Sequence, residues 1–573
     1  MSLLVSSKMF KDSKAFNNIF LDKDFIQCGN YFYYLFGEIF VDQQLLAQYI
    51  EGEKLEMIPS LLGEYSIVLV KRSGDEIKLI SDKAGRNILF YGQDDSICVA
   101  TDFWSIVDAL NKTLDDINAQ ALKEQMVFNT TLDHNTIVNG IKMMAPSTIL
   151  TLNGHGRQVK INKYWNFKLN RSIEKISKAE KIERFDFELT NVFKLIKNIN
   201  PSDTVYNIGI SGGMDSRIIP FYAQKANLKL ESFIIGHSHP KGLLLSGDHI
   251  SSRKIVDYFD LKSHQEIAYN TLSFHKKLEK DALAFPYGGS QLFITIPDNI
   301  VTGDVLLTGA SGFYIGASPI YRDVVSNDIQ YSTLKYLSLL KKVNKKQKWE
   351  KAYAFLTNKP KTLKVEVFSE GISGLIERKE VEGAICKIQS FYSELKGFSN
   401  IEKIMNFNVS GIGHKNKSGS FESLLGQKKS YTIYSPFLSD FVQTWNDEDL
   451  IERRLFHDFI LEKHLVLSKI KGQDYKVSLS RQDKANVVSK LTAMAEFYFR
   501  GKGVMNYENW LRDFTFQRFI NAEIFDHDTY IHSFVDRNII KDLYKEGEVH
   551  NKVFENILKL NKILEIIDKK SYK

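Results

Sequence analysis

The run Ser211-Gly212-Gly213-Met214-Asp215-Ser216 constrains this chain more than any other stretch. It follows the apolar segment Val205-Tyr206-Asn207-Ile208-Gly209-Ile210 and precedes residues that read as a helix, so a glycine-rich turn falls where a strand hands over to a helix. Two adjacent glycines let the backbone approach an anion closely, the N–H groups at a helix start point toward it, and the serine hydroxyls add donors. The pattern predicts a phosphate cradle in which Ser211, Gly212, Gly213 and Ser216 hold phosphate oxygens and Asp215 offers a hard oxygen to Mg²⁺. With no Lys after the second glycine, and with only two glycines side by side, it is neither a Walker A loop nor a dinucleotide fingerprint. The plainer alternative is an ordinary strand-turn-helix junction with a serine cap.

Composition bounds the setting of that loop. The 573 residues are enough for about three or four domain-sized units. A formal charge of +7, from 76 basic and 69 acidic side chains, is too mild for a dedicated nucleic-acid binder. The dense basic run at Lys341, Lys342, Lys345, Lys346 and Lys348 reads as a solvated face, with a docking surface the lesser reading. Cys28, Cys98 and Cys386 make no pair at metal or redox spacing, which points to a reducing compartment. No apolar run is long enough to insert in a membrane and the first ten residues are too polar for a signal peptide, so a cytoplasmic protein is expected.

The rhythm of the chain changes near residue 170. Short β-rich runs at Tyr31–Phe36, Tyr65–Val70, Ile77–Ile80, Asn87–Tyr91, Ile97–Ala100 and Ser147–Leu152, punctuated by Gly63, Gly85 and Gly92, predict packed antiparallel sheets. A polar, lysine-rich stretch after Trp165 reads as a linker into a helix. From Thr204 strand and helix alternate, with strands at Ile208–Ile210, Leu230–Ile235, His264–Ala268 and Asp304–Thr308, which predicts a parallel sheet covered by helices. Ligands of such sheets bind at the carboxyl ends of the strands, where Ser211 and Thr308 fall. The rest reads helical, and the stripe Phe554, Ile557, Leu558, Leu560, Ile563, Leu564 and Ile567 suits core or subunit packing, with a homodimer left open.

The order of these parts carries a resemblance. The loop S-G-G-x-D-S resembles the pyrophosphate loop of the N-type ATP pyrophosphatases, which split ATP between its α and β phosphates. Gly37-Glu38-Ile39, Leu62-Gly63-Glu64-Tyr65, Asp82-Lys83-Ala84-Gly85-Arg86-Asn87 and Ala100-Thr101-Asp102 look like successive blocks of an asparagine-synthetase amidotransferase domain. Leu307-Thr308-Gly309-Ala310-Ser311-Gly312 resembles that family's second phosphate-side loop, and Ser435-Pro436-Phe437-Leu438-Ser439-Asp440 its P-F-L-D block. The resemblance spans roughly residues 30 to 480 and implies an α/β protein. It places an antiparallel amidotransferase-like β-sandwich with flanking helices over 1–168, a parallel-sheet ATP-pyrophosphatase domain over 180–480 and a helical extension over 481–573.

The departures are as telling. Relatives that take nitrogen from glutamine use an N-terminal cysteine with its own amine as base, and position 2 here is Ser2. The oxyanion-holding Asn of their N-G-E block is replaced by Phe36, and the glutamine-gripping Arg by Ser81. Cys28 is internal and reads as a structural thiol. The sandwich is therefore expected to be a glutaminase shell without glutaminase chemistry. In the second loop the acidic residue that follows Gly312 in relatives is Phe313, so Asp304 or Asp323 would have to join Asp215 on the metal. Thr432 and Tyr434 stand where relatives show Glu and Arg, which argues against an aspartate-specific enzyme.

The resemblance then implies an AMP-forming ligase, as in asparagine, β-lactam or lasso-peptide ring synthesis. ATP and Mg²⁺ adenylate a small-molecule or peptide carboxylate, and ammonia or a substrate amine attacks the acyl-adenylate. Ser211, Gly212, Gly213, Ser216, Gly309 and Gly312 would bind the nucleotide, Asp215 and Asp304 the metal, and Lys471 or Lys476 would stabilise amide formation, although each lysine reads first as a surface side chain. The alternatives are a glutamine-hydrolysing asparagine synthase, which Ser2 and Phe36 oppose, and a nucleotide-binding pseudoenzyme, which Phe313 favours. His237, His239, His249 and His264 fit no zinc spacing, and Asp248 reads as a helix cap before it reads as a nucleotide contact.

Overall fold

The computed structural model describes residues 4–6, 25–40, 43–73, 76–93, 97–128, 130–153, 159–171, 176–237, 247–269, 274–288, 305–309, single positions between 380 and 406, 432–434, 437, 440–450, 453–470, 514–526, 528–546 and 551–571. The N-terminal part contains β1 (Leu4–Ser6), β2 (Ile26–Cys28), β3 (Tyr31–Ile39), α1 (Gln43–Glu51), β4 (Gly63–Lys71), β5 (Glu76–Ser81), β6 (Phe90–Gln93), β7 (Ile97–Ala100), α2 (Phe103–Ala109), α3 (Ala119–Phe128), β8 (Ile141–Met143), β9 (Thr148–Asn153) and β10 (Val159–Lys163). They build two antiparallel sheets, one in the order β10-β9-β5-β4-β3-β2 and one in the order β1-β7-β6-β8.

Strand β4 shows why the sheets stack. Its side chains alternate between two apolar environments, so Val68 and Val70 meet Leu79, Leu89, Val99 and Leu150 in one cluster, whereas Ile67 and Leu69 join Leu46, Ile50 and Ile58 beneath α1 in another. A strand buried on both faces loses the polar half of its pattern, and Gly63–Lys71 reads as a nearly continuous apolar run.

The second half contains α4 (Lys178–Ile199), β11 (Val205–Gly209), α5 (Met214–Lys225), β12 (Lys229–His237), α6 (Gly247–Phe259), β13 (His264–Tyr269), α7 (Phe274–Ala284), β14 (Val305–Leu307), β15 (Thr432–Tyr434), α8 (Arg454–Lys463) and α9 (Leu465–Lys469). The five strands pair in the order β13-β12-β11-β14-β15, every neighbour parallel. The strand order runs outward in one direction through β12 and β13 and in the other through β14 and β15, so it reverses between β11 and β14. A doubly wound sheet opens a crevice at that reversal, beyond the carboxyl ends of the strands. The chain is thus α/β as expected: antiparallel sheets first, a parallel sheet next, helices last.

The segment after Trp165 departs from a free linker. Phe167 and Leu169 are buried, and their N–H groups donate to Asn406 Oδ1 at 2.8 Å and Glu402 Oε1 at 2.7 Å. Lys181 is buried too, paired with Asp449. Apolar residues spaced among lysines sufficed to dock the segment, although its composition is that of a solvated connector. Ser177 then caps α4 by accepting from Glu180 N.

The C-terminal helices α10 (Phe514–Ile520), α11 (Arg537–Glu546) and α12 (Asn551–Ser571) do not stand apart. Phe554, Ile557, Leu558, Leu560, Ile563, Leu564 and Ile567 of α12 share one core with α7 and with residues of α2, α3, β6 and β7. Asn556 Nδ2 donates to Met126 O at 3.0 Å, and Lys559 pairs with Asp281 at 3.2 Å with both side chains sealed from solvent. The stripe on α12 is therefore intramolecular core. No helix among the described residues is long and apolar enough to cross a membrane.

Candidate nucleotide site and amidotransferase-like shell

The glycine-rich run lies where the sheet makes its crevice. Ser211 follows β11, Gly213 begins α5, and Thr308 and Gly309 follow β14, which pairs with β11 through Ile208 opposite Leu307. Inside the loop the two serines organise the turn. Ser216 Oγ accepts from Ser211 N at 3.2 Å and lies 3.1 Å from Ser211 Oγ, which accepts from Gly213 N at 3.1 Å. No side chain caps α5 at Gly213, so the positive end of this helix faces the crevice without a competing cap. Gly309 belongs to the same wall: a methyl group there would meet Asp215 Cβ at 2.6 Å and the backbone of Asp215 and Ser216 at 3.3 Å.

Two arginines absent from the sequence-based site fix this loop. Arg217, fully buried, donates from Nη2 to Gly212 O at 2.6 Å, from Nε to Gly213 O at 3.2 Å, and from Nη1 to Leu467 O at 2.9 Å and Ile470 O at 3.0 Å. It ties the loop to α9, and the carbonyls it satisfies replace the water its charge has lost. Arg453 holds Asp215. Nη1 donates to Oδ2 at 3.0 Å, Nη2 donates to Oδ1, and the guanidinium lies 4.5 Å over the Phe456 ring. Neither was legible as a site residue. Arg217 adjoins the motif but reads as a helix-surface side chain, and Arg453 sits in a charged stretch with no pattern.

Of the expected nucleotide and metal ligands, Ser211, Gly212, Gly213, Asp215, Ser216 and Gly309 are brought together. Gly312, Phe313, Asp304 and Asp323 lie outside the described residues, as do Lys471, Lys476 and the basic run at 341–348. Both oxygens of Asp215 are engaged by Arg453, and no group of three or more His, Cys, Asp or Glu side chains able to hold a metal occurs among the described residues. Among the described residues, then, the loop gathers backbone N–H and hydroxyl groups of the kind that meet an anion, and Asp215 is joined there by Arg453 and by no second carboxylate.

Several other expectations receive a structural explanation. Tyr434 is buried with its ring edge on Phe40 and its hydroxyl 3.2 Å from Asn200 Nδ2, and burial pushes its pKa up, so it packs β15 and does not present a polar head to a substrate. His264 Nδ1 meets Ser232 Oγ at 2.9 Å, and burial holds both His249 and His264 below the usual imidazole range. The side chains of His237, His239 and Asp248 lie outside the described residues.

In the sandwich the recognisable blocks serve as scaffold. Asp82 Oδ2 accepts from Tyr65 N at 2.7 Å and Oδ1 from Gly85 N at 2.7 Å and from Ala84 N, so its carboxylate closes the turn of the D-K-A-G-R-N block. Burial first, and then Glu64, push its pKa up to about 7 despite those donors. Arg86 pairs with Glu64 at 3.3 Å, and Asn87 Nδ2 donates to Glu64 O at 2.6 Å. That contact leaves no volume at Gly37, whose φ of +95° and whose notional Cβ 2.2 Å from Asn87 Nδ2 demand glycine. Ser81 is sealed in the core, donating to Ala145 O at 2.8 Å and accepting from Thr148 N at 3.1 Å. Phe36 packs against the cluster between the sheets. Cys28 Sγ donates to Ala47 O at 3.3 Å, and burial, then Glu51, push its thiol up, away from the reactive thiolate.

Comparison with known sequences bears on this half. The sequence model of the glutamine amidotransferase domain matches residues 41–165. The N-terminal part is amidotransferase-like. That match covers less than a quarter of the chain and does not extend to the parallel sheet. Among solved structures, the glutamine phosphoribosylpyrophosphate amidotransferase of B. subtilis, complexed with ADP and GMP, is 13% identical, with 42% of this chain and 71% of that chain covered and a TM-score of 0.17. A structure of the allosteric regulatory enzyme of purine biosynthesis gives 13% identity, 42% and 60% coverage and a TM-score of 0.17. Likenesses at that score carry no argument about activity. No curated protein matches the chain.

Proposed function

We propose that this chain is an AMP-forming carbon–nitrogen ligase of the asparagine-synthetase type, which adenylates a carboxylate and passes the acyl group to ammonia or a substrate amine without drawing nitrogen from glutamine. The observation that carries the reading is the S-G-G-M-D-S loop at the strand-order reversal, with its uncapped helix start and Gly309 pressed against Asp215. Such a site offers backbone and hydroxyl donors to the phosphates of ATP, and the leaving pyrophosphate gains its stabilisation from donors already in place. A carboxylate brought to the mouth of the crevice attacks the α-phosphorus, and the amine then displaces AMP from the acyl carbon. The amidotransferase-like sandwich supports amide-transfer chemistry as a class, while Phe36, Ser81 and Cys28 withhold the groups that glutamine hydrolysis needs.

The reading is tested by incubating the purified chain with ATP and panels of carboxylates and amines, and following AMP, pyrophosphate and amide product. AMP released only when both partners are supplied supports the ligase. A second reading, nucleotide binding without turnover, is favoured by the engagement of Asp215 by Arg453. Thermal stabilisation by ATP with no AMP under any acceptor would establish it in place of the ligase.

A further inference from the structure

Asp215 is the residue from which the loop would take a metal, and its carboxylate already has a cation. Arg453 meets it with two parallel donors, the planar fork that matches a carboxylate or a phosphate equally well. Three features hold the guanidinium there. It stacks on Phe456. Its backbone begins α8 in the left-handed region, φ 59° and ψ 39°, a conformation an arginine adopts only when its surroundings insist. The stem of the partner aspartate is fixed as well, because Gly309 lies so close that a Cβ on it would stand 2.6 Å from Asp215 Cβ and 3.3 Å from the backbone of Asp215 and Ser216. Arg453 Nε, by contrast, is buried with no hydrogen-bond acceptor among the described residues, a donor on the lateral edge of a guanidinium whose distal edge is taken. A buried donor of a charged group without an acceptor is costly, and an oxygen-rich anion in the crevice would relieve it.

Resting on the reading of this loop as a nucleotide site, we propose that Arg453 is its phosphate-binding cation, standing where a divalent metal would otherwise neutralise the phosphates. Asp215 acts as a positioning residue that aims the guanidinium, and Nε with the adjoining Nη2 edge receives phosphate oxygens. Binding of ATP or inorganic pyrophosphate is then independent of a divalent metal.

The test measures ATP and pyrophosphate binding to the full chain by calorimetry, in excess EDTA and in millimolar Mg²⁺. Wild type is expected to bind in EDTA within about threefold of its affinity in Mg²⁺, and Arg453→Met to lose at least about tenfold in EDTA, the worth of one charge-assisted pair of bonds. Arg453→Lys, which keeps the charge without the fork, should fall between them. Binding by wild type only when Mg²⁺ is present overturns the role of Arg453 and leaves the loop reading intact. Equal binding of wild type and Arg453→Met in EDTA overturns it as well. No binding of either probe in either buffer removes the nucleotide site itself. Should Arg453→Met fail to fold, the wild-type comparison and Arg453→Lys decide the matter.

Discussion

Gly309 and Asp215 stand so close that a single methyl group on the glycine would come within 2.6 Å of the aspartate's Cβ. The neighbouring atoms are the carbonyl carbon of Asp215 and the N of Ser216, both backbone, so the clash has no flexible side chain to relieve it. Gly309→Ala must push the end of β14 away from the start of α5, at a cost of about 1–3 kcal/mol for overpacking. The expected result is a lower melting temperature and loss of ATP-dependent stabilisation. An unchanged ATP response in a folded Gly309→Ala protein would show that the two loops act independently.

Arg217 reaches four carbonyls from three nitrogens and bridges the loop to α9. Arg217→Met removes a buried charge but strands those acceptors, at a cost of about 3–5 kcal/mol for breaking such a buried network. Lysine cannot replace the fork and should recover only part of the loss. Denaturant titration of the two variants checks this, and a fall of less than about 1 kcal/mol in Arg217→Met, the range of an exposed pair, would contradict it.

His464 gives the fold an acid limit. Its ring lies among Phe221, Tyr222 and Phe459, and burial pushes its pKa down to about 4, against a smaller upward pull from Asp186 and with Lys225 and Lys463 adding to the fall. Between about pH 6.5 and pH 4 the unfolded chain therefore binds a proton that the folded one refuses, and stability drops as the pH falls, by roughly 3 kcal/mol at most. In His464→Gln that segment of the stability–pH curve should flatten. An unchanged slope would assign the acid sensitivity to other groups.

The sequence carried the parallel sheet because periodicity changes visibly at Thr204, and it carried the loop because its glycines and hydroxyls sit within six residues. What it did not carry is set by long-range contact. Arg453 reaches Asp215 across 238 positions, and Arg217 finds Leu467 O across 250. Neither separation leaves a local pattern. The stripe on α12 announced burial but not against what, since Lys559 and Asn556, polar within that stripe, find their partners on α7 and α3. The segment after Trp165 failed for the same reason, because Glu402 and Asn406, which dock it, lie far along the chain.

The last prediction concerns nitrogen from glutamine. Hydrolysis needs a thiolate or an activated hydroxyl, an oxyanion donor and a grip on the substrate. Cys28 is 4% exposed, hydrogen-bonded to Ala47 O and pushed toward the neutral thiol. Phe36 packs an apolar ring against the cluster between the sheets and has no donor to offer an oxyanion, and the hydroxyl of Ser81 is consumed by Ala145 and Thr148 inside the core. Restoring one of these groups would not restore the site, since an arginine at Ser81 would have to enter a core position only 2% exposed. Purified protein given glutamine is therefore expected to release no glutamate above background, with or without ATP, while ammonia or an amine supports any amide product formed. Glutamate release that survives in Ser2→Ala and vanishes in Cys28→Ala would identify Cys28 as the nucleophile after all, and would mean that the thiol leaves its bond to Ala47 when glutamine binds.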